Sequence, residues 1–489
     1  MVLAIDQGTT GTTCLVFDED MAVAGRAYRE FTQHFPRPGW VEHDLAEIWD
    51  VTRAVALEAL EDAGVPEGGL RAIGITNQRE TTCAWDRATG EPLHRALVWQ
   101  DRRTAARCDA LRDAGYEPTV RSLTGLVLDP YFSATKIEWL VQEGGVDPAR
   151  AVFGTIDSWL VFRLTGELAT DPTNASRTLL YDVRAGRWSD ELCGIFGVDA
   201  SALPEVRPSI GDFGTTTEEA LPGWAGVPVR GIAGDQQAAL YGQACLDPGQ
   251  AKNTYGTGSF VLLNTGDERA VAPPGLLSTV AWQVGERTLY ALEGSIFVTG
   301  AAVQWLRDGL GLIREAGETE ALAASLDGND GVFFVPALTG LGSPHWDPYA
   351  RGTITGLTRG TGRAHLARAA LEAMAFQTLD VVEAMSRAAG ESLRELKADG
   401  GASDNAWLMQ FQADVLGVPV VVPEVRETTA MGAALLAGVG AGVWSQAEVA
   451  RGWRERARFE PAMGADERAG LVAGWRDALA RSSGSLPAG

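Results

Sequence analysis

Asp6 ends a short apolar run and leads into a turn rich in glycine and threonine, Gly8-Thr9-Thr10-Gly11. Glycine allows phosphate oxygens to approach the backbone, and threonine adds hydroxyl and N–H donors to such a turn. The Asp6 carboxylate is placed to hold a magnesium ion through water. An ordinary hairpin turn with a capping aspartate would use the same residues, so this segment alone leaves both interpretations open.

A second turn of the same kind, Gly-Thr-Gly at 256–258, lies near the middle of the chain and is also followed by a strand-like run. Val261 stands where a dinucleotide-binding fingerprint would need its third glycine, which excludes a Rossmann site. Gly400 and Gly401 separate a further strand-like run from a helical one. They would let a ribose or a flat ring lie against the backbone, or let a helix pack closely on a strand.

Two further segments place acid–base or hydrogen-bonding groups after strand-like runs. Asp235 precedes a helix-like segment, where a carboxylate can act as a general base toward a hydroxyl group. The commoner role of an aspartate at such a position is a helix N-cap. Arg79 and Glu80 together offer donors and an acceptor, which suits the neighbouring hydroxyls of a polyol. A surface ion pair is the structural alternative for these two residues.

Strands and helices alternate around these segments. Residues 72–75, 332–336 and 418–422 have the short apolar runs of buried strands, whereas 46–62 and 363–389 have helical periodicity. This alternation predicts an α/β architecture. The Asp-Pro-Gly turn at 247–249 predicts a boundary between one domain at 1–247 and another at 248–489.

Composition narrows the class of protein. The chain has 489 residues and a net charge of −23, which disfavours binding to nucleic acids and to anionic membranes. Its five cysteines include no C-x-x-C pair, so we expect neither a disulfide framework nor a zinc knuckle, and a cytoplasmic location fits. The sequence has no apolar stretch long enough to span a membrane.

Known phosphate-binding signatures are also missing. The only lysines are Lys136, Lys252 and Lys397, and none follows a glycine, so the chain has no P-loop. It also lacks the His-Arg-Asp motif of protein kinases. Any nucleotide site must therefore depend on backbone N–H groups, hydroxyls, arginines and a divalent cation.

Two long signatures resemble the FGGY carbohydrate kinases, which belong with sugar kinases, chaperone ATPases and actin. One runs from Tyr131 through Ser133, Lys136 and Trp139 to Glu143, and the other runs from Gly352-x-Ile354 to Ala370-Leu371-Glu372. The resemblance extends over nearly the whole chain. It implies two actin-like (ribonuclease H-like) α/β domains with a catalytic cleft between them, a homodimer or homotetramer, and ATP with Mg²⁺ as cofactors.

Within that family, the segments at 38–44, 74–81, 174–178 and 231–237 are similar to those of members that phosphorylate glycerol. The resemblance implies that Asp235 is the catalytic base and that Asp6 and Asp235 lie nearest the metal. The implied glycerol contacts are Arg79, Glu80, Trp99, Tyr131, Asp235, Gln236 and Phe260. The implied nucleotide contacts are Thr9, Thr10, Gly11, Thr257, Gly300, Gln304, Gly401 and Asn405.

The sequence departs from well-studied relatives at several positions. Gly11-Thr12-Thr13 replaces a Ser-Ser-Arg segment, so an arginine contact to the nucleotide is missing, and His345 replaces a tyrosine. The loop at 221–226 lacks the Gly-Gly-Thr-Arg element that binds fructose 1,6-bisphosphate, and it lacks a histidine for phosphohistidine control. We therefore expect neither form of regulation.

Two alternative functions stay open at this stage. Another FGGY enzyme would act on dihydroxyacetone, erythritol or a pentulose, although the Arg79-Glu80 pair argues against a ketopentose. A non-catalytic actin-like switch or chaperone would need an additional domain or assembly insertions, and the sequence shows neither. The carboxylates Asp6, Glu80 and Asp235 favour catalysis over a switch.

Overall fold

The computed structural model describes residues 1–347 and 349–483. The first half of the chain forms a five-stranded mixed sheet. Its strands, in order across the sheet, are Val229–Gly234, Ala72–Asn77, Val2–Gln7, Gly11–Phe17 and Val23–Glu30. The first three run parallel to one another, whereas Gly11–Phe17 and Val23–Glu30 form antiparallel hairpins.

The second half forms a seven-stranded sheet. Its strands, in order, are Leu277–Val284, Arg287–Ile296, Ser259–Gly266, Ala251–Tyr255, Leu396–Gly400, Val420–Pro423 and Glu455–Phe459. Without its two edge strands, this sheet has the same strand order and directions as the first sheet. In each sheet, a glycine/threonine turn joins the two strands that come first in the sequence: Val2–Gln7 to Gly11–Phe17, and Ala251–Tyr255 to Ser259–Gly266. The two turns therefore hold equivalent positions.

Smaller strands extend the two halves. They are Gln33–His34, Glu42–His43 and Ala96–Leu97 in one sheet, and the pairs Cys83–Asp86 with Ala151–Gly154, Ala169–Thr170 with Glu205–Val206, Tyr181–Asp182 with Arg187–Trp188, and Phe333–Val335 with Thr353–Thr355. The predicted strand at 332–336 is thus confirmed, but it pairs outside the main sheet.

Helices cover both sheets. Those of the first half are Leu45–Asp62, Ala105–Asp113, Glu117–Thr124, Ala134–Gln142, Ile156–Thr165, Pro172–Ala175, Asp190–Phe196 and Asp235–Gly242. Those of the second half are Gly300–Gln304, Glu318–Ala324, Arg363–Ala389, Ala406–Leu416, Thr428–Gly440, Gln446–Gly452 and Ala465–Ser482. Short 3-10 turns occur at Ala200–Ala202 and Gly401–Asp404, and a π-helical turn occurs at Trp305–Gly309. This architecture confirms the predicted α/β fold class.

The helix Leu45–Asp62 shows why the periodicity predicts these elements well. The side chain of Asp44 accepts hydrogen bonds from two backbone N–H groups of the first turn, which caps the helix. Ile48, Thr52, Val55 and Ala59 recur every three or four residues and are all buried. The helix therefore packs one apolar face on the first sheet.

Two helices lie between the two sheets. Thr428–Gly440 packs on the first sheet, Asp235–Gly242 contacts the second sheet, and the two helices contact each other. Glycines permit this close packing: a Cβ on Gly74 would lie 2.0 Å from the carbonyl oxygen of Ala433, and a Cβ on Gly432 would lie 1.8 Å from that of Ala238. This layer fixes Asp235, at the start of its helix, between the halves of the molecule.

Within residues 1–347 and 349–483, no helix combines the length and the hydrophobicity needed to cross a membrane.

Candidate active site

Four charged side chains form a buried chain of ion pairs between the two sheets. They are Arg79 and Glu80, which follow the strand Ala72–Asn77, Arg177, which follows the short helix Pro172–Ala175, and Glu293 of the strand Arg287–Ile296. Each is at most 2% exposed. Arg177 donates to Glu80 at 2.5 Å and to Glu293 at 3.0 Å, and Arg79 donates to Glu293 at 2.5 Å.

Asp235 joins this chain at its solvent-accessible end. Its Oδ1 lies 3.1 Å from Nε of Arg79, and its side chain is 32% exposed. Nε of Arg79 also lies 3.8 Å from Oε1 of Glu80. The structure thus brings Asp235 together with Arg79 and Glu80, although the two segments lie far apart in the chain.

The charges of the four buried groups balance. Two arginines face two glutamates, so the attraction between them offsets the cost of removing each charge from water. Burial raises the pKa of Glu293, but Arg177 and Arg79 outweigh it and lower that pKa to about 2. Burial raises the pKa of Glu80 more than its two arginine neighbours lower it. Asp235 is therefore an additional carboxylate beside a neutral cluster.

The backbone of Glu80 adopts an unusual conformation. Its φ is 62°, in the left-handed region that residues with side chains rarely occupy. The hydroxyls of Ser133 and Thr82 both donate to the Glu80 carbonyl oxygen, at 3.0 and 3.2 Å, and hold this conformation. Because Arg79 and Glu80 lie in this tight turn rather than in an extended strand, their side chains converge instead of pointing to opposite faces.

Aromatic rings line the same region. Trp99 and Tyr131 pack edge to face with centroids 5.6 Å apart, and the guanidinium of Arg79 lies 5.9 Å from the centroid of Phe260. The guanidinium of Arg177 lies 5.6 Å from the centroid of Tyr131. These half-buried rings offer apolar walls beside the charged groups, as the carbon face of a small polyol would require.

Gln236 is buried, and its amide faces the second sheet. Its Oε1 accepts a hydrogen bond from Nζ of Lys252 at 2.5 Å. Its backbone N–H bonds to the carboxylate of Asp235 at 2.7 Å. The residue expected to contact glycerol is therefore fixed by a lysine from the other half of the chain.

The first glycine/threonine turn adjoins this cluster. Oγ1 of Thr9 accepts from the indole N–H of Trp99 at 2.9 Å, and Thr10 is exposed. Gly11 is buried, and a Cβ there would lie 2.7 Å from the carbonyl oxygen of Arg29 and 2.8 Å from the ring of Tyr28. Glycine at 11 is thus required by strand packing.

The second turn and the helix Gly300–Gln304 are joined through the backbone. The N–H groups of Gly300 and Ala301 donate to the carbonyl oxygens of Gly256 and Thr257, at 3.1 and 3.0 Å. A Cβ on Gly300 would lie 2.5 Å from the Gly256 oxygen. Thr257 and Gln304 are both exposed at this surface of the second sheet.

Gly401 and Asn405 lie at the end of the neighbouring strand Leu396–Gly400. Gly401 is exposed with open space around its Cα, whereas Asn405 caps the helix Ala406–Leu416 by accepting from the N–H of Leu408 at 2.9 Å. Gly400 has a φ of 83°, and a Cβ there would meet the Tyr255 oxygen at 2.2 Å. The glycine pair thus serves close packing at 400 and leaves open backbone at 401.

Asp6 lies near Asp235 on the face of the first sheet that is turned to the second half. Burial, with a smaller contribution from the charge of Asp235, raises the pKa of Asp6 to about 7. Thr13 and Thr76 are its register partners on the adjacent strands, and Oγ1 of Thr76 is buried without a hydrogen-bond partner among the described residues. Among the described residues, no three His, Cys, Asp or Glu side chains come together as a metal site.

Three residues in or beside the buried cluster had no role predicted from the sequence: Arg177, Glu293 and Lys252. Arg177 lies inside a segment that carries the family resemblance, but nothing in its spacing gave it a partner. Glu293 interrupts the apolar run 289–292, and a lone charge in a buried strand is the signal that marks it. Lys252 is one of only three lysines.

Two histidines, His345 and His43, have side-chain partners. Nε2 of His345 lies 3.4 Å from the Asp380 carboxylate, which also accepts from the indole of Trp475. His43 is bonded to Gln33 at 2.7 Å, and burial lowers its pKa to about 4. Both contacts are structural, because each ties the imidazole to a neighbouring side chain.

Comparison with known proteins assigns both halves of the chain to one family. The N-terminal domain of the FGGY family of carbohydrate kinases matches residues 1–242, and the C-terminal domain of that family matches residues 251–441. The chain is 56% identical over 490 residues to the glycerol kinase of Deinococcus radiodurans, covering 98% of this chain and 97% of that protein. It is 51% identical over 491 residues to glycerol kinase 2 of Thermotoga maritima, covering 99% of both.

Solved structures of related kinases have the same fold as this chain. The crystal structure of the Plasmodium falciparum glycerol kinase with ADP aligns with a TM-score of 0.94 and 36% identity, covering 99% of this chain and 98% of that one. A xylulose kinase from Rhodospirillum rubrum aligns with a TM-score of 0.87 and 27% identity, covering 98% of both chains. The two halves of the chain have the fold of the two-domain carbohydrate kinases. The chain belongs to the FGGY family of carbohydrate kinases.

Proposed function

We propose that this protein transfers the γ-phosphoryl group of ATP to a terminal hydroxyl of glycerol, yielding sn-glycerol 3-phosphate. The observation that carries the proposal is the convergence of Arg79, Glu80 and Asp235, with Arg79 lying 3.1 Å from Asp235 and 3.8 Å from Glu80. The relatives named glycerol kinase, which match nearly the whole chain, support the same substrate.

Asp235 is the group that accepts the proton of the attacking hydroxyl. It stands at the accessible end of the cluster, and Arg79 fixes one of its oxygens. Positioned general bases contribute on the order of 10²–10⁴-fold in rate. Glu80 and Glu293 are buried, so Asp235 is the most accessible carboxylate of the cluster for the attacking hydroxyl.

Arg79 and Glu80 bind the remaining hydroxyls, and Trp99, Tyr131 and Phe260 pack against the carbon chain. A site of buried donors and acceptors rejects an analogue that leaves them unpaired, by up to about 10⁴–10⁵-fold. Dihydroxyacetone replaces one hydroxyl with a carbonyl that cannot donate, so glycerol fits the acceptor Glu80 better. A pentulose additionally needs space beyond the aromatic walls.

The nucleotide lies across the two equivalent turns, with its phosphates at Thr9, Thr10 and Thr257 and its adenosine toward Gly300, Gln304, Gly401 and Asn405. Open backbone at Gly401 suits close approach of a ring or ribose. Thr9 and Thr10 offer hydroxyl and N–H donors, which explains how a chain with few lysines binds a polyphosphate. Gly11 is included among the proposed nucleotide contacts because it belongs to the first of these turns.

Asp6 and Asp235 fit a magnesium ion. Their carboxylates are the hard oxygen ligands that this ion prefers, and Mg²⁺ commonly takes one or two carboxylates and completes its shell with water and substrate phosphate. When bound, the ion neutralises charge on the phosphate oxygens. Burial, with a smaller contribution from the charge of Asp235, raises the pKa of Asp6 to about 7, and a bound cation would favour the charged form of this carboxylate.

The decisive experiment is a coupled assay of the wild type and of Asp235→Asn with glycerol, dihydroxyacetone and xylulose. The wild type should turn over glycerol with the highest kcat/KM. Asp235→Asn should fold and bind glycerol but lose about 10²-fold or more in kcat. Wild-type turnover by Asp235→Asn would remove this residue from the base role, and preference for another substrate would replace glycerol.

Three expectations stay predictions. They are a homodimer or homotetramer, a cytoplasmic location, and domains bounded at 1–247 and 248–489. Sedimentation of the purified protein tests the first.

A further inference from the structure

Lys252 is a buried cation that bonds to the residue after Asp235. It is 0% exposed, and its Nζ donates to Oε1 of Gln236 at 2.5 Å and to Oγ1 of Thr254 at 2.8 Å. A buried ammonium is unfavourable unless its environment compensates for the lost water. Lys252 therefore occupies its place because of these two bonds and the nearby carboxylates.

The two bonds connect two elements that pack on each other. Gln236 belongs to the helix Asp235–Gly242, whereas Thr254 belongs to the strand Ala251–Tyr255, which leads directly into the turn that carries Thr257. Lys252 and Thr254 are two residues apart on that strand, so both point to the face that packs on the helix. One side chain thus connects the acceptor site with the second phosphate turn.

The electrostatic surroundings agree with this connection. Burial lowers the pKa of Lys252 to about 8, while Asp399 and Asp235 act in the opposite direction. An apolar side chain of similar volume would avoid the cost of desolvation, and buried ion pairs are often replaced by apolar groups without loss of stability. A polar connection at this position therefore points to function rather than to stability alone.

We propose that Lys252 is a positioning residue that couples the acceptor side of the site to the second phosphate turn. This inference rests on the proposed function. By holding Gln236 and Thr254 together, Lys252 keeps the acceptor hydroxyl, beside Asp235, aligned with the phosphate bound at the turn. Alignment of two bound reactants affects the rate of the chemical step much more than the binding of either one.

Lys397 provides a matched control. It is the register partner of Lys252 on the adjacent parallel strand, and it is also buried. Its Nζ donates to the carbonyl oxygens of Gln243 and Ala244, at 2.7 and 3.4 Å, beyond the far end of the same helix. Lys397→Met therefore removes a buried lysine from the same interface without affecting Gln236.

The experiment compares kcat, the KM for glycerol, the KM for ATP, and the ratio of glycerol 3-phosphate formed to ATP consumed. In Lys252→Met we expect kcat to fall about 10- to 100-fold, each KM to change less than about threefold, and the product ratio to fall below that of the wild type. In Lys397→Met we expect kcat and the product ratio within about threefold of the wild type at equal folded fraction.

A second variant covers the case in which Lys252→Met does not fold. Thr254→Val removes one acceptor of Lys252 and should lower kcat by about three- to tenfold with unchanged KM values. The inference would be overturned if Lys252→Met kept the wild-type kcat, or if Lys252→Met and Lys397→Met lost kcat by the same factor. If Lys252→Met does not fold, a wild-type kcat in Thr254→Val would overturn it. A wild-type protein inactive on glycerol would instead refute the proposed function.

Discussion

Both terminal nitrogens of Arg79 donate to the carboxylate of Glu293, at 2.5 and 3.2 Å. Arg79 follows a strand of the first sheet, and Glu293 belongs to the second sheet. The orientation of the arginine that reaches Asp235 is therefore fixed by the opposite half of the molecule.

Glu293→Gln should damage the glycerol site. Removing one partner of a buried ion pair costs about 3–5 kcal/mol, because the remaining charge is left uncompensated. Part of that cost should appear as a lower unfolding temperature, and kcat/KM for glycerol should fall about 100-fold or more, whereas the KM for ATP should change little. Steady-state kinetics and thermal unfolding measure both.

The double variant Glu293→Gln/Arg177→Gln separates charge balance from shape. It restores equal numbers of positive and negative buried groups, so kcat/KM for glycerol should recover about tenfold relative to Glu293→Gln. Activity no better than that of the single variant would show that balance of charge is not what Glu293 provides.

Thr9→Val tests the bond between Thr9 and the indole of Trp99. Valine has nearly the same shape as threonine but cannot accept the Trp99 N–H at 2.9 Å, so a half-buried donor loses its partner. We expect kcat/KM to fall about three- to tenfold, consistent with the loss of roughly 1 kcal/mol. Thr9→Ser, which keeps the hydroxyl, should stay within about twofold of the wild type, and equal losses in both variants would contradict this role.

Gly74→Ala should destabilise the layer between the sheets. The added Cβ would lie 2.0 Å from the Ala433 oxygen, so a helix must move to admit it. Overpacking of this kind costs about 1–3 kcal/mol, which calorimetry would detect as a lower unfolding temperature.

Gly470→Ala is the control for that substitution. Gly470 is exposed in the interior of the helix Ala465–Ser482, with nothing within 4 Å of an added Cβ. Alanine there should stabilise the protein by about 0.5–1 kcal/mol. A destabilised Gly470→Ala, or an unchanged Gly74→Ala, would contradict the packing described for these helices.

Asp157 should make stability depend on pH. It is buried, and burial together with the charge of Asp171 raises its pKa from 3.8 to about 7. The folded state therefore holds a proton that the unfolded state releases, so this contribution to stability is present at low pH and is lost as pH rises from about 4 to 7. One proton changes the free energy of unfolding by up to about 1.4 kcal/mol per pH unit.

Asp157→Asn should remove that contribution. The unfolding temperature of the wild type should decrease between pH 5 and 7 more steeply than that of Asp157→Asn. The hydroxyls of Thr155 and Thr170, which donate to Asp157 at 2.5 and 2.6 Å, can reorient to meet the amide. Parallel curves for the two proteins would show that Asp157 does not titrate in this range.

The sequence by itself determined the local features of this protein. Apolar periodicity predicted the helices Leu45–Asp62 and Arg363–Ala389 to within a residue, and the glycine/threonine turns marked two equivalent hairpins. The alternation of elements gave the α/β class, because hydrophobic period and turn chemistry are properties of short segments. The carboxylates at strand ends and the resemblance of long signatures supplied most of the candidate site.

Only the tertiary structure decided which residues meet. Glu293 looked like one charge in an apolar strand, and its two arginine partners come from remote segments, so no spacing in the sequence could reveal the buried quartet. Close backbone packing, which the sequence pattern does not show, is what requires glycine at Gly11 and Gly400. The physical reason is that burial, charge balance and steric fit depend on contacts between distant segments, which a linear pattern does not encode.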